Sequence, residues 1–176
     1  LLGGLYDQYP IVLDQVSENA TKLKSKIETL KDAGYKIDYA FIDRDPKEAF
    51  LEGVVSRAEK QAAKGEKPRT VNITRTLEGN YGARSIGRQI ESIIPESALG
   101  RKFLINNTLG SKKAKLVFGE EARKMLEREL PDAAHLGEEL RQEVLRRDLS
   151  EDIKRGLLHR TSRVEEGVLR GIAEHA

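Results

Sequence analysis

The sequence predicts an α/β fold. A short parallel sheet with flanking helices is expected over residues 1–130, followed by a helical C-terminal extension over residues 131–176. Three observations predict it. Short apolar runs that stop at a polar or acidic residue, Ile11-Val-Leu-Asp14 and Lys102-Phe-Leu-Ile-Asn106, read as strands buried on both faces, the pattern of parallel sheets. Between such runs, apolar residues recur at three- and four-residue steps, the period of a helix with one buried face. After Pro131 only the helical period persists.

Taken in order, Ile11–Leu13 is the first strand, stopped by Asp14. A helix over Glu18–Ala33 follows, with Ala20, Leu23, Ile27 and Leu30 on one face. Gly34 ends it, since glycine takes the left-handed conformation at low cost. The alternation of Ile37, Tyr39 and Phe41 with Asp38 and Ala40 predicts a strand over Lys36–Ile42. Asp45-Pro46-Lys47-Glu48 is a helix start, with Asp45 as cap, Pro46 at the first position and Glu48 completing a capping box. That helix runs through Arg57, burying Phe50, Val54 and Ala58. Gln61–Arg69 loses the apolar period and reads as a mobile basic loop, and Thr70–Thr76 fits neither period.

A polar helix is predicted over Leu77–Ile94, with Ile86, Ile90 and Ile93 on one face and Pro95 at its end. Gly79, Gly82 and Gly87 each weaken it by about 1 kcal/mol relative to alanine. Lys102–Asn106 and Leu116–Phe118 are the remaining strands. Helices then follow over Gly119–Leu130, Gly137–Arg147 and Ser150–His175.

The bulk composition is polar, with 38% apolar and 34% charged residues and no cysteine. That excludes disulfides, zinc–thiolate sites and thiol nucleophiles. No apolar run approaches the roughly 20 residues that span a bilayer. With no secretory leader at the start, the expectation is a soluble, cytoplasmic protein with no membrane partner. The net charge is only +2, but its distribution is uneven. Residues 1–56 hold 7 basic and 10 acidic side chains, residues 57–116 hold 13 and 5, and residues 117–176 hold 11 and 14. A phosphate-bearing ligand is therefore expected at the middle third.

Ligands of open parallel sheets bind at the carboxyl ends of the strands. Asp14 and the Asp43–Asp45 cluster sit at such ends, and Arg57 and Arg69 lie on the segment that follows the second strand. Asp14 suits general-base, metal-orienting or hydroxyl-orienting chemistry, or equally a helix N-cap. Arg57 and Arg69 suit a phosphate clamp, because guanidinium groups donate in pairs and stabilise charge on a transferring phosphoryl group. The alternative is two solvated surface arginines. Arg75, Arg84 and Arg88, with Tyr81 among them, could instead bind a nucleic-acid backbone or form a solvated helix face. The three histidines, His135, His159 and His175, lack metal-ligand spacing.

The ordered set Ile11-Val-Leu-Asp14, Leu30-Lys-Asp-Ala-Gly34-Tyr35, Asp45-Pro46-Lys-Glu-Ala49, Arg57, Gly65-x-x-x-Arg69-Thr-Val71 and Phe103-Leu-Ile-Asn-Asn107 resembles the zeta-toxin-type kinases. These are P-loop phosphotransferases related to chloramphenicol phosphotransferase and polynucleotide kinases. The resemblance covers roughly Tyr9–Phe118. It implies a P-loop kinase-like core, ATP or GTP with Mg²⁺ as cofactor, and phosphorylation of a hydroxyl on a small molecule or nucleotide-sugar. It further implies that Arg57, Arg69 and Arg75 contact the nucleotide, with Asp14, Arg57 and Arg69 as the catalytic set. Such kinases are the toxins of toxin–antitoxin pairs, and a protein partner is expected on the C-terminal helices.

The sequence also departs from the family's pattern. No Gly-x-x-x-x-Gly-Lys-Ser/Thr loop occurs in it, and the chain, which starts at Leu1, reads as a fragment whose phosphate loop is expected upstream. Glu18 stands where the family places an arginine after the strand-ending acid. Two other readings stay open: a non-catalytic kinase-like scaffold or interaction domain, and a nucleic-acid-binding module through residues 57–116.

Overall fold

The structure is a computed structural model and describes residues 20–108 and 113–158. The expected strand ending at Asp14 and the C-terminal helix beyond Leu158 lie outside the described residues.

Helix α1 (Ala20–Asp32) buries Leu23, Ile27 and Leu30. It closes through the amide of Tyr35 donating to the Leu30 carbonyl and that of Gly34 to Lys31, with Gly34 at φ 81°. This is the paired hydrogen-bond pattern of a glycine-terminated helix, as Gly34 predicts. Strand β1 (Ile37–Asp43) follows. Helix α2 (Pro46–Phe50) is capped by the Asp45 carboxylate, which accepts from the Glu48 amide at 3.0 Å. It passes through a π-helical turn (Leu51–Val55) into α3 (Ser56–Ala63).

The helix therefore reaches two turns beyond Arg57, and the expected loose loop from Gln61 gives way to an anchored segment. The amides of Gly65 and Glu66 donate back to Ala62 and Gln61, with Gly65 at φ 72°. The Gln61 side chain accepts from the Arg69 amide at 2.9 Å. Further along, Thr70 packs so close to Gly156 that a Cβ there would meet its hydroxyl at 2.2 Å.

Helix α4 (Ile73–Ile93) is the spine of the fold, at 21 residues about 31 Å long. It starts one turn before the expected Leu77 because the Asn72 side chain caps it, accepting from the Arg75 amide at 2.7 Å. Its first half, Ile73, Leu77 and Tyr81, belongs to one core with Phe50, Val54, Val55 and Ala58. Its second half, Ile86, Ile90 and Ile93, packs on Leu23 and Ile27 of α1. Gly87 lies where the helix meets the sheet, and a Cβ there would sit 3.1 Å from the Phe41 ring, a tight contact.

The sheet has the order β1-β2-β3, with β2 at Leu99–Asn106 and β3 at Lys115–Val117. β1 and β2 are parallel, with Asp43 opposite Asn106. The expectation of an all-parallel sheet fails at β3, which runs antiparallel to β2. The eight residues between them are fewer than a parallel crossover needs. Helix α5 (Gly119–Glu127) puts Ala122 and Met125 against Phe41, Leu104 and Val117. On the opposite face Ile42 and Leu116 are exposed, as is Phe118 beside it.

Helix α6 (Ala133–Arg146) starts four residues earlier than expected, capped by Asp132, and is followed by α7 (Glu151–Leu158). Leu136, Leu140, Val144, Ile153 and Leu157 complete the core of α2, α3 and the first half of α4. No helix among the described residues is long and apolar enough to cross a membrane.

Candidate functional site

Parallel pairing of β1 with β2 brings Asp43, Arg44 and Asp45 beside Asn106, Asn107 and Thr108 at one edge. The Asn107 amide donates to the Asp43 carbonyl at 2.8 Å, so the two strand ends leave the sheet together. Asn106 turns its side chain onto its own strand's exit, accepting from the amide and hydroxyl of Thr108 at 3.1 and 2.8 Å. Asn107 Oδ1 is buried and meets no donor among the described residues.

The chemistry of this edge centres on a buried ion pair. Asp43 and Arg84 are 2% and 3% exposed, and Arg84 Nη1 donates to Asp43 Oδ1 at 2.5 Å. The other carboxylate oxygen accepts from Arg128 at 3.4 Å, and Arg128 also lies 3.8 Å from Asp45. Arg84 Nη2 donates in addition to the carbonyls of Met125, Leu126 and Arg128, the last at 2.8 Å. Arg88 joins it on the carbonyls of Leu126 and Arg128, at 2.7 and 3.3 Å. Two arginines thus take up the carbonyls at the end of α5. That explains why this helix stops at Glu127 rather than the expected Leu130: Arg128 turns out at ψ 125° to present its carbonyl.

Burial pushes the Arg84 guanidinium below its ordinary value, while Asp43 opposes the shift and Arg128 and Arg88 add to it. Both Asp43 oxygens are engaged by arginine, so this carboxylate is not free to serve as a base or a metal ligand. Among the described residues no group of three or more acidic or histidine side chains could hold a metal ion.

Beside the ion pair, α4 and residues 129–132 border an open groove of 460 Å³ lined by Tyr81, Arg84 and Arg88. The Tyr81 hydroxyl donates to the Pro131 carbonyl at 2.5 Å. Burial first, then the negative charges of Asp132 and Asp45, push its pKa up to about 12.

The residues singled out in the sequence fall elsewhere. Asp14 lies outside the described residues. Arg57 is exposed on α3, and Arg69 is exposed on the segment that follows, its backbone tied to Gln61. Arg75 is exposed in the first turn of α4 and lies 3.5 Å from Glu78. Among the described residues neither the Arg57 nor the Arg69 side chain has an acidic partner.

Arg84 is buried in its ion pair and does not form the solvated or nucleic-acid-facing surface that was the sequence's alternative for it, whereas Arg88 is exposed. The signal was present, because Arg84 and Arg88 continue the stripe of Ile73, Leu77 and Tyr81 at steps of three and four. A cation on a core stripe needs a buried acid, and Asp43 is that acid. Arg128 left no such trace in its surroundings. No protein-family model matches the chain, and no curated protein or solved structure matches it at a significant level.

Proposed function

We propose that this chain is part of a nucleotide-dependent phosphotransferase of the zeta-toxin type, acting on a hydroxyl of a small molecule or nucleotide-sugar. One observation carries the reading. Two exposed arginines without acidic partners among the described residues, Arg57 on α3 and Arg69 after it, lie on the segment between β1, whose carboxyl end opens the candidate edge, and α4. Both are tied to α3, Arg57 as part of it and Arg69 through the Gln61 side chain. In this reading their guanidinium groups donate to non-bridging phosphate oxygens and offset the charge that gathers on a phosphoryl group in transfer. The same reading assigns to Asp14 the role of base for the acceptor hydroxyl. Arg75 adds a further positive charge at the start of α4. ATP or GTP with Mg²⁺ supplies the phosphoryl group. The reading requires the triphosphate cradle to come from residues outside this sequence, since none of its glycine runs has the needed spacing.

The direct test is transfer of label from γ-phosphate-labelled ATP or GTP to a panel of hydroxyl acceptors by the full-length protein. Transfer to any acceptor supports the reading, and nucleotide hydrolysis or binding without transfer to sugars, nucleosides or nucleotide-sugars contradicts it.

A second reading is a kinase-like scaffold without catalysis. It is favoured by the engagement of Asp43, the best-placed described acid, in an ion pair that helps hold α5 to the sheet. It predicts no binding of ATP–Mg²⁺ at millimolar concentration by the full-length protein.

A further inference from the structure

Exposed cations such as Lys24, Lys31 and Arg146 have no acidic partner among the described residues, and water solvates them. An arginine withdrawn from water is a different case, because a desolvated charge without a partner is costly. Arg84 is buried and Arg128, Arg141 and Arg147 are half-buried, and each meets an acid: Asp43 for Arg84, Asp43 and Asp45 for Arg128, Glu138 for Arg141, and Glu59 and Glu143 for Arg147. Arg44 is half-buried as well, and it meets no acid among the described residues.

Arg44 stands directly after β1, at the carboxyl edge where open α/β sheets take their ligands. The acids on either side of it are engaged elsewhere. Asp43 is held by Arg84 and Arg128, while Asp45 caps α2 and lies near Arg128. The Arg44 Nε is buried and meets no acceptor among the described residues. Its Nη2 reaches the Glu48 carbonyl at 3.5 Å, longer than an ordinary hydrogen bond. The guanidinium is nevertheless given a seat. It lies over Gly53 in the π-helical turn, where a Cβ would come within 2.9 Å of Nη1 and 3.4 Å of Nη2. Gly53 lacks the positive φ of Gly34, Gly65 and Gly119, so its backbone does not call for glycine, whereas the room for Arg44 does. π-Helical turns recur at functional sites.

We propose that Arg44 binds an oxyanion at this edge, the phosphate or carboxylate group of a small ligand, and that Gly53 is a positioning residue that gives its guanidinium room. A guanidinium donates in pairs to either group, so the two share one recognition chemistry. The bound anion supplies the countercharge that the fold provides for every other buried or half-buried arginine described here and withholds from this one. The half-buried setting suits the terminal oxyanion of a small molecule. The inference stands apart from the phosphotransferase reading, which gives Arg44 no part.

The test is urea denaturation of the protein in inorganic phosphate, in acetate and in chloride, all at the same ionic strength and with no nucleotide present. An anion that binds only the folded state stabilises it. At ten times its dissociation constant, phosphate or acetate raises the parent's folding constant about elevenfold over chloride, and the anion with the larger effect identifies the group. Arg44→Met removes the charge and keeps an aliphatic stem of similar reach. Loss of a charged hydrogen bond weakens binding by about ten- to hundredfold, so the same concentration raises the variant's folding constant by about twofold at most. In chloride the variant's midpoint equals or exceeds the parent's, because no acid loses a partner. Gly53→Ala displaces only the flexible tip of Arg44, so its midpoint in chloride does not fall and its response to the anion is smaller than the parent's.

A parent that responds to neither anion overturns the proposal, and so does Arg44→Met with the parent's response. An Arg44→Met midpoint below the parent's in chloride also overturns it, since the arginine then serves the fold. Gly53→Ala with the full parental response removes the role given to Gly53. The Arg57→Ala/Arg69→Ala variant separates this site from the proposed clamp: a kept response supports Arg44 as the anion's partner, and a lost response assigns the anion to the clamp and overturns the proposal. An anion response that depends on Arg44, in a protein that transfers no phosphoryl group, leaves this site standing and removes the phosphotransferase.

Discussion

Asp43 and Arg84 are forty-one positions apart in sequence and meet at 2.5 Å with almost no solvent on either side chain. The contact ties the end of β1 to the middle of α4 and, through the same guanidinium, to the last carbonyls of α5. A buried charge that loses its partner is far more costly than the pair is beneficial. Arg84→Met is expected to destabilise the protein by about 3–5 kcal/mol, and Asp43→Asn by a similar amount. The two together are expected to cost much less than the sum, because the double variant leaves no orphaned charge. Urea denaturation of the four proteins checks this, and additive losses would mean that the pair is not coupled.

The segment that carries Arg69 is held by close packing as well as by hydrogen bonds. Gly156→Ala would drive a methyl group into Thr70, whose hydroxyl lies 2.2 Å from the position it would take. The variant is expected to lower the unfolding midpoint and to raise amide exchange over residues 64–72. Thr70→Gly in the same background is expected to recover part of the loss. Equal exchange in parent and Gly156→Ala would show that α7 does not hold this segment.

Gly65 tests the cap separately. It sits at φ 72° with nothing within 4 Å of the position a Cβ would take, so the penalty of Gly65→Ala is conformational rather than a clash. The expected cost is about 1–2 kcal/mol, read as a shift in the denaturation midpoint at constant slope. A neutral substitution would contradict the left-handed turn.

These caps show where the sequence was legible and where it was not. Gly34 and Asp45-Pro46 announced a helix end and a helix start that both occur as expected, because each acts through its own backbone neighbours. Asn72 and Asp132 act in the same local way but sit in a Thr-rich stretch and directly behind Pro131, where no apolar period draws attention to a helix start. The antiparallel β3 and the early end of α5 are different in kind. They depend on connection length and on arginines forty residues away, information that no local window holds. The candidate edge was legible as a set of strand ends, Asp43 and Asp45 included. That Asp43 would be consumed by Arg84 followed only from the helical stripe on which Arg84 lies.

Two tyrosines make the fold sensitive to alkali. Burial pushes the pKa of Tyr39 up to about 12, and burial with Asp132 and Asp45 does the same for Tyr81. A group whose folded pKa is raised contributes its stability fully below its unfolded value and loses it as pH climbs through the folded value. Stability is therefore expected to hold up to about pH 10, the unfolded tyrosine value, and to fall from there to about pH 12, by up to tenfold in the folding constant per pH unit for each tyrosine. Phenolate absorbance should show Tyr39 and Tyr81 ionising together with unfolding. Tyr81→Phe should flatten the fall, and an unchanged profile would contradict the burial of its hydroxyl.

The central claim is that Arg57 and Arg69 form a phosphate clamp, and the most direct measurement is calorimetric titration of ATP–Mg²⁺ and GTP–Mg²⁺ into the full-length protein and its Arg69→Ala variant. A charged hydrogen bond worth about 1.5–3 kcal/mol predicts affinity for at least one nucleotide in the parent and a loss of roughly ten- to hundredfold in the variant. Equal affinities in the two proteins, or no nucleotide binding in the parent, would contradict it.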